Sequence, residues 1–231
     1  MRVGIIQSAY LPWRGYFDFI ASVDLFIFLD DVQFSKNGWR NRNRLKSAQG
    51  SFWITVPVLD RHLSQLISET EISSQSTWHE KHIKSISLNY ANAPFVSDAI
   101  RLLDSACQFK MLSELNIALT LRIMKYLGIQ TPVRNSIELG GAGKKTDRVI
   151  QLLKLVGATS YLSGPSADAY LDKAAFSAAG IGLEYKSYDY APYPQQGGDF
   201  VGQVSVLDLI ANCGPDAAGH LRSRSPNIVV L

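Results

Sequence analysis

The first thirty residues constrain the fold more than any other part of the sequence. Apolar runs at residues 3–6 (VGII) and 25–29 (LFIFL) each predict a buried strand, and the aromatic cluster at 16–20 predicts a short helix between them. A strand, a helix and a strand this close together form a βαβ unit, so the two strands are expected to be parallel. Ligands bind such sheets at the carboxyl ends of the strands. The segment 7–13 and the pair Asp30–Asp31 are therefore expected on one edge.

The rest of the chain predicts an α/β fold, with a mostly parallel sheet, flanking helices and a helical insertion in the middle of the chain. Residues 52–58 and 66–72 are predicted strands. The insertion covers about residues 77–128 and holds three helices, which begin at a Thr77/Glu80 capping box, at Pro94 and at Leu112. Further strands at 132–137, 160–162 and 182–188 alternate with helices near 146–156, 169–178 and 204–211. Because we find no repeat or low-complexity linker, we expect one α/β domain over residues 1–231.

The composition excludes several classes of protein. Hydrophobic residues make up 46% and charged residues 19%, a globular rather than a disordered or fibrous balance. The two cysteines, Cys107 and Cys213, cannot form a disulfide framework or a four-thiolate zinc site, and the four histidines show no paired metal-ligand spacing. We predict no bound metal. Without a signal peptide or an apolar run of about 18 residues, we also predict a cytoplasmic chain with no transmembrane segment.

The positive charge is concentrated in residues 36–46 (KNGWRNRNRLK), which hold five cations and no acid. The whole chain has a net charge of +3, so the rest of it carries −2. This favours a single anion site and no nucleic-acid partner. In an extended strand the cations would share one side and the other residues the opposite side: Arg40, Arg42, Arg44 and Lys46 on one, and Trp39, Asn41, Asn43 and Leu45 on the other. Guanidinium groups suit phosphate and Trp39 suits a base or a sugar, although a solvated basic loop has the same pattern.

Other residues are candidates on position alone. The carboxylates of Asp30 and Asp31 follow a strand, where they can hold a ribose, a Mg²⁺ ion or an ammonium group, or else form a turn ion pair. His82 faces partly inward on its helix, as a proton acceptor or as a structural histidine. The pair Ser163–Gly164 follows a short strand and precedes a helix, which is a potential anion cradle. We expect Cys213 to be a buried small residue rather than a nucleophile.

Several long motifs together resemble one known family. They are QSAYLPWRGYF at 7–17, LDDVQF at 29–34, WRNRN at 39–43, TVPV at 55–58, Trp78 with His82, YLSG at 161–164 and SVLDLIANCG at 205–214. In this order they resemble the signatures of the WbqC-like family of bacterial proteins, over nearly the whole chain. The departures are small: Ser8 stands where the family usually has proline, and Asn37 and Gly38 vary a loose stretch.

The resemblance implies a role in the biosynthesis of surface polysaccharide, namely O-antigen and lipopolysaccharide. It implies an N-acyl- or aminoacyltransferase, glycyl transfer included, that acts on a nucleotide-linked amino-deoxy sugar. No built-in cofactor is expected; an acyl thioester or ATP would be the co-substrate, and an acyl or glycyl carrier protein is a candidate partner. Two alternatives stay open: an ATP-dependent, nucleotidylyltransferase-like ligase that activates a carboxylate, and a non-catalytic accessory protein that binds a nucleotide sugar.

Site residues follow from combining the residue patterns with this resemblance. His82 and Asp31 are the candidate catalytic residues, because either can accept the proton of an attacking sugar amine. The candidate substrate-binding residues are Gln7, Tyr10, Trp13, Asp30, Gln33, Trp39, Arg40, Asn41, Arg42, Lys46, Ser163 and Gly164. Within this set we expect one pocket to gather Gln7, Tyr10, Trp13, Asp30, Asp31, Arg40 and Asn41.

Overall fold

A six-stranded sheet forms the centre of the computed structural model, which describes residues 1–59, 62 and 64–231. The strands in the described part of the chain are β1 (Arg2–Ile6), β2 (Leu25–Phe28), β3 (Arg42–Ser47), β4 (Gly50–Thr55), β5 (Val133–Asn135), β6 (Ser160–Ser163), β7 (Gly182–Tyr185) and β8 (Ile228–Val229). The sheet has the order β5-β2-β1-β6-β7-β8, with β8 alone antiparallel to its neighbour, while β3 and β4 form a separate antiparallel hairpin. The predicted α/β fold with a mostly parallel sheet is confirmed.

Helices cover the sheet and fill the middle of the chain. They are α1 (Arg14–Ala21), α2 (Trp78–Asn89), α3 (Val96–Arg101), α4 (Leu112–Tyr126), α5 (Ser136–Leu139), α6 (Lys145–Leu155), α7 (Lys173–Ala178) and α8 (Val206–Cys213). The predicted helical insertion corresponds to α2, α3 and α4. Its helices share a hydrophobic cluster with the sheet, since Leu115 and Leu119 of α4 belong to the same cluster as Phe26 and Phe28 of β2. None of the helices described is long and apolar enough to cross a membrane.

The order of the sheet reverses at β1, which pairs in parallel with β2 on one side and with β6 on the other. Helix α1 packs very closely over this strand: a Cβ atom at Gly4 would lie 2.4 Å from the ring of Phe19. In open α/β sheets, ligands bind outside the carboxyl ends of the strands at such a reversal. The loop of residues 7–13, which follows β1, therefore occupies the position where this fold favours a site.

One predicted strand, over residues 66–72, is wrong. Ile67–Glu69 form a single 3-10 turn, and the segment makes only isolated bridges to other parts of the chain. Its backbone amides bond to loops instead of to a strand: that of Ser68 donates to the carbonyl of Asp30, and that of Ile72 to the carbonyl of Lys110. The apolar pattern is real because Ile67 is fully buried, but loops rather than a sheet bury it.

Several predicted helix boundaries also change. Helix α2 begins at Trp78 as expected, but the side chain of Thr77 makes no capping hydrogen bond, so the predicted capping box is absent. Helix α7 begins at Lys173 rather than near residue 169, because Asp172 caps it by accepting a hydrogen bond from the amide of Ala175. The second helix of the insertion is short and ends at Arg101.

A buried ion pair fastens α1 to the segment after β7. The ammonium group of Lys186 lies 2.6 Å from the carboxylate of Asp18, and the two side chains are 4% and 1% exposed. Asp18 also accepts hydrogen bonds from the hydroxyl of Tyr190 at 2.8 Å and from the amide of Ser223 at 3.1 Å. These contacts fix the position of Tyr190 beside the start of α1.

We expect Lys186→Met to lower the free energy of unfolding by about 3–5 kcal/mol, because it leaves the carboxylate of Asp18 buried without a counter-ion. Urea denaturation measures the change. The double variant with Asp18→Asn should recover most of it. Glu184→Gln, which breaks the more exposed pair with Arg2, serves as the control and should cost less than about 1 kcal/mol. Equal effects of Lys186→Met and Glu184→Gln would contradict the prediction.

Candidate functional site

A cavity of about 330 Å³ opens at the carboxyl end of β1. Three stretches of chain form its walls: the end of β1 with the following loop and the start of α1, the segment that enters β3, and the segment before α8. The lining residues are Ile6, Ala9, Pro12, Trp13, Tyr16, Trp39, Arg40, Asn43, Arg44 and Gln203. The cavity thus lies beside the reversal of the sheet order, where the fold favours a ligand.

Aromatic side chains form the apolar part of the wall. The ring of Trp13 packs against Tyr188 and Tyr190, with centroid distances of 5.2 and 5.7 Å. Trp13 also folds back over the start of α1, where a Cβ atom at Gly15 would lie 2.4 Å from the indole. Only glycine leaves room for this contact, so the sequence around Gly15 fixes the orientation of the indole.

Arg40 supplies the first cation of the wall. Its guanidinium donates a hydrogen bond to Oε1 of Gln7 at 2.6 Å, and the backbone carbonyl of Gln7 accepts one from the hydroxyl of Tyr16 at 3.1 Å. The carbonyl of Arg40 accepts a hydrogen bond from the amide of Asn116 on α4 at 2.8 Å. Burial lowers the pKa of Arg40, and nearby Tyr16 and Asp30 oppose that effect. The side chain stays cationic, because a guanidinium does not lose its proton in proteins.

Asn43 and Arg44 complete the polar wall. The amide of Asn43 donates hydrogen bonds to the carbonyls of Tyr10 at 3.2 Å and Leu11 at 2.8 Å, which joins the hairpin to the loop after β1. Arg44 donates to Oε1 of Gln203 at 3.2 Å. Among the residues that the structure describes, no carboxylate lies within ion-pair distance of Arg44 or Arg40. The cavity is therefore electropositive.

The two neighbouring carboxylates do not line this cavity. Asp30 is fully buried and accepts hydrogen bonds from the amide of Ser8 at 2.8 Å and from the hydroxyl of Ser113. Asp31 accepts a hydrogen bond from the hydroxyl of Ser136 at 2.6 Å and forms an ion pair with Arg148. These contacts join the end of β2 to the loop after β1 and to α4, α5 and α6. Both carboxylates follow β2, next to the strand that precedes Gln7.

His82 lies outside the cavity in a buried position on α2. Its Nδ1 atom is 2.9 Å from the hydroxyl of Tyr10. Burial lowers the pKa of His82 to about 4, and the nearby backbone of Thr55 opposes part of that effect. With its hydrogen on Nε2, the neutral ring accepts the hydroxyl hydrogen of Tyr10 at Nδ1 and keeps no free lone pair for a substrate proton.

The structure brings only part of the predicted binding set together. Trp13, Trp39 and Arg40 line the cavity and Gln7 contacts Arg40; the other predicted residues, which do not line it, are Tyr10, Asp30, Gln33, Asn41, Arg42, Lys46, Ser163 and Gly164. Asn41 is buried and donates to the carbonyl of Val56 at 2.9 Å. Gln33 is exposed and forms a bridge with Leu66. Ser163 is buried, and Gly164 precedes the 3-10 turn Pro165–Ala169.

Lys46 has its own environment, away from the other cations of the basic segment. The side chain is 3% exposed and donates hydrogen bonds to Oε1 of Gln195 at 2.8 Å and to the carbonyl of Asp199 at 2.7 Å. Gln195 in turn donates to Asp208, whose pKa is raised by burial and which also accepts from the hydroxyls of Tyr90 and Tyr193. Lys46 therefore anchors the segment that leads to Gln203.

Sequence reasoning missed Tyr16, Asn43, Arg44 and Gln203. Arg44 had a signal, because it shares the alternation of Arg40 in the basic segment. Gln203 had none, because long-range contacts at the start of α8 position it: the amide of Ser205 donates to the carbonyl of Arg44 at 2.8 Å, and that of Val206 to the carbonyl of Pro12 at 3.0 Å.

Comparison of the sequence with known proteins shows the family of the chain. The model of the WbqC-like protein family matches residues 7–220. This chain belongs to the WbqC-like protein family. The family match spans nine of the ten residues that line the cavity, all but Ile6. The chain is also similar to the uncharacterized protein Rv1507c of Mycobacterium tuberculosis, with 42% identity over 226 residues, 96% of this chain and 97% of that protein. No solved structure matches the chain described here. The predicted family membership is confirmed.

We expect His82→Gln to change stability and its pH dependence. The folded-state pKa of about 4 lies below the unfolded value of 6.5, so the unfolded state takes up a proton first as the pH falls. His82 therefore costs stability as the pH falls from 6.5 towards 4, by roughly 1.4 kcal/mol for each pH unit in that range. Urea denaturation at pH 7.5 and 4.5 should show a smaller loss on acidification in His82→Gln. The exposed His62→Gln is the control; the same acid loss in the wild-type chain and in His82→Gln would refute the prediction.

Proposed function

We propose that this WbqC-like protein binds a nucleotide-linked amino-deoxy sugar in the cavity and transfers an acyl or aminoacyl group, such as glycyl, to the sugar amine. The observation that carries the proposal is the pair of guanidiniums, Arg40 and Arg44, in a wall of aromatic rings without a carboxylate partner among the described residues. A diphosphate suits guanidiniums, which hold phosphate oxygens with two parallel hydrogen bonds. The sugar ring suits the faces of Trp13 and Tyr16.

The apolar part of the wall supports acyl transfer to an amine. Only the neutral amine attacks an acyl carbon, and removal of the sugar from water against Trp13 and Tyr16 lowers the pKa of a bound ammonium group. The amine nitrogen then forms a bond to the thioester carbon, the carbon–sulfur bond breaks, and the amine proton passes to the departing thiolate. No Asp, Glu, His or Cys is among the residues that line the cavity, so in this proposal the departing thiolate takes the proton in place of a general base.

In this proposal His82 and Asp31 act as positioning residues rather than as proton acceptors. His82 contacts the hydroxyl of Tyr10. The backbone carbonyl of Tyr10 accepts a hydrogen bond from the side-chain amide of Asn43, which lines the cavity. Asp31 holds Arg148 and Ser136 at the end of the neighbouring strand. Membership of the WbqC-like family supports a place in the biosynthesis of surface polysaccharide.

A second candidate is the ATP-dependent ligase, and one observation favours it. The sheet order reverses beside the loop after β1, where nucleotide-binding α/β folds hold their ligand. However, Arg14, the cation that follows this loop at the start of α1, does not line the cavity. Its guanidinium donates to the carbonyls of Ala191 at 2.9 Å and His220 at 3.2 Å, and lies 4.6 Å from the centre of the Tyr190 ring. We therefore prefer transfer from a thioester. ATP consumption during turnover would favour the ligase, and ligand binding without turnover would favour an accessory protein.

We expect Arg40→Ala and Arg44→Ala each to weaken the binding of UDP-glucosamine by about 10- to 150-fold, the range for a lost charge-assisted hydrogen bond. Isothermal calorimetry measures the affinity, and thermal denaturation checks that each variant is folded. Arg101→Ala removes an exposed guanidinium that pairs with Asp98 and should leave the affinity unchanged. Unchanged affinity in both cavity variants would sink the proposed phosphate site.

We expect Cys213→Ser to keep full turnover. Burial raises the pKa of Cys213 to about 11, so the thiol stays protonated at neutral pH, and the residue does not line the cavity. Mass spectrometry of the N-acylated amino sugar, with an acyl thioester and without ATP, measures turnover. Cys107→Ser, at the exposed cysteine, is the matched control. Loss of turnover in a folded Cys213→Ser chain alone would show that an acyl-enzyme thioester forms instead.

A further inference from the structure

The cavity is small for the substrate class that we propose. Its volume of about 330 Å³ lies near the lower end of the roughly 300–1,000 Å³ range of ligand pockets. A nucleotide sugar has four parts: a base, a ribose, a diphosphate and a hexose. Part of such a ligand must therefore extend beyond the cavity, onto the surface that continues its wall.

Two tryptophans provide that surface. Trp39 lines the cavity, and the centre of its ring lies 5.2 Å from that of Trp53, with the ring planes inclined by 38°. Trp53 is on β4, directly opposite Arg44 of β3, and does not line the cavity. Each of the two tryptophans is 45% exposed although they touch. The pair thus extends the cavity wall along the outer face of the hairpin into solvent.

Guanidiniums flank this aromatic pair. The guanidinium of Arg42 lies 4.2 Å from the centre of the Trp53 ring, and that of Arg44 lies 5.6 Å from Trp53 and 5.8 Å from Trp39. The Nε atoms of Arg42 and Arg44 are buried and have no hydrogen-bond partner. Within the described ranges, Arg42 has no carboxylate within ion-pair distance either. Exposed indoles beside unneutralised cations suit a flat ring that is attached to negative charge.

We propose that Trp39 and Trp53 form the nucleobase subsite of the substrate, outside the cavity. This inference rests on the proposed function and fixes the direction of the ligand: the amino sugar lies inside against Trp13 and Tyr16, the diphosphate lies between Arg40 and Arg44, and the base stacks on the outer tryptophans. Stacking on aromatic rings tolerates different bases because every base has a flat π-face. Uridine and thymidine diphosphates should therefore bind with similar affinity, and selectivity should depend on the sugar.

Calorimetric titration of the full chain with UDP and with dTDP tests this subsite. We expect Trp53→Ala to weaken both affinities by at least about fivefold, the lower limit for losing one base–aromatic stack. Trp53→Phe, which keeps a ring, should restore most of the affinity. Tyr170→Ala removes an even more exposed aromatic ring that does not line the cavity, and should change neither affinity.

The outcomes separate this inference from the proposed function. The subsite is supported if Trp53→Ala weakens nucleotide binding, Trp53→Phe restores most of the affinity, and Tyr170→Ala leaves the affinity unchanged. Wild-type affinity in Trp53→Ala, with weakened affinity in Arg40→Ala, overturns the subsite and leaves the proposed function standing. A wild-type chain that binds neither UDP nor dTDP overturns both.

Discussion

One buried amide, that of Asn43, holds the two halves of the cavity together. Its hydrogen bonds to the carbonyls of Tyr10 and Leu11 fasten the β3–β4 hairpin to the loop after β1, and the amide of Tyr10 returns a bond to the carbonyl of Trp39. Leu11 has a left-handed backbone conformation, with φ at 44°, which costs energy in a residue with a side chain. The bond from Asn43 to its carbonyl compensates part of that cost. The wall that carries Arg40 and Arg44 and the wall that carries Trp13 meet at this junction.

The guanidiniums of Arg40, Arg42 and Arg44 have no carboxylate within ion-pair distance among the described residues, and neutral groups hold them instead. Arg40 is held by an amide oxygen of Gln7, Arg44 by one of Gln203, and Arg42 by Asn37 and the face of Trp53. Neutral partners orient a guanidinium without cancelling its charge, so the positive field stays available to a ligand. By contrast, the carboxylates of Asp30 and Asp31 are committed to Ser8, Ser113, Ser136 and Arg148 at the end of β2.

The sequence predicts those features that are encoded locally. Apolar runs predicted β1 and β2, and helical spacing predicted α4, because these elements bury one continuous stripe of residues. The same signal failed at residues 66–72, where loops bury Ile67 and no strand forms. The environment of His82 could not be predicted, since the hydroxyl of Tyr10 and the backbone of Thr55 reach it only in the folded chain. Gln203 depends likewise on tertiary contacts.

Residues 39–46 carry many of the contacts around the cavity because the two faces of strand β3 have different roles. Along β3, Asn43 and Leu45 face inward and are buried, while Arg42 and Arg44 face outward against Trp53. Lys46 breaks the alternation, because its ammonium group is buried against the carbonyl of Asp199. That contact fixes the segment that delivers Gln203 to Arg44. One short strand thereby anchors the hairpin, positions the far wall and presents the cations, so that few of its residues can change independently.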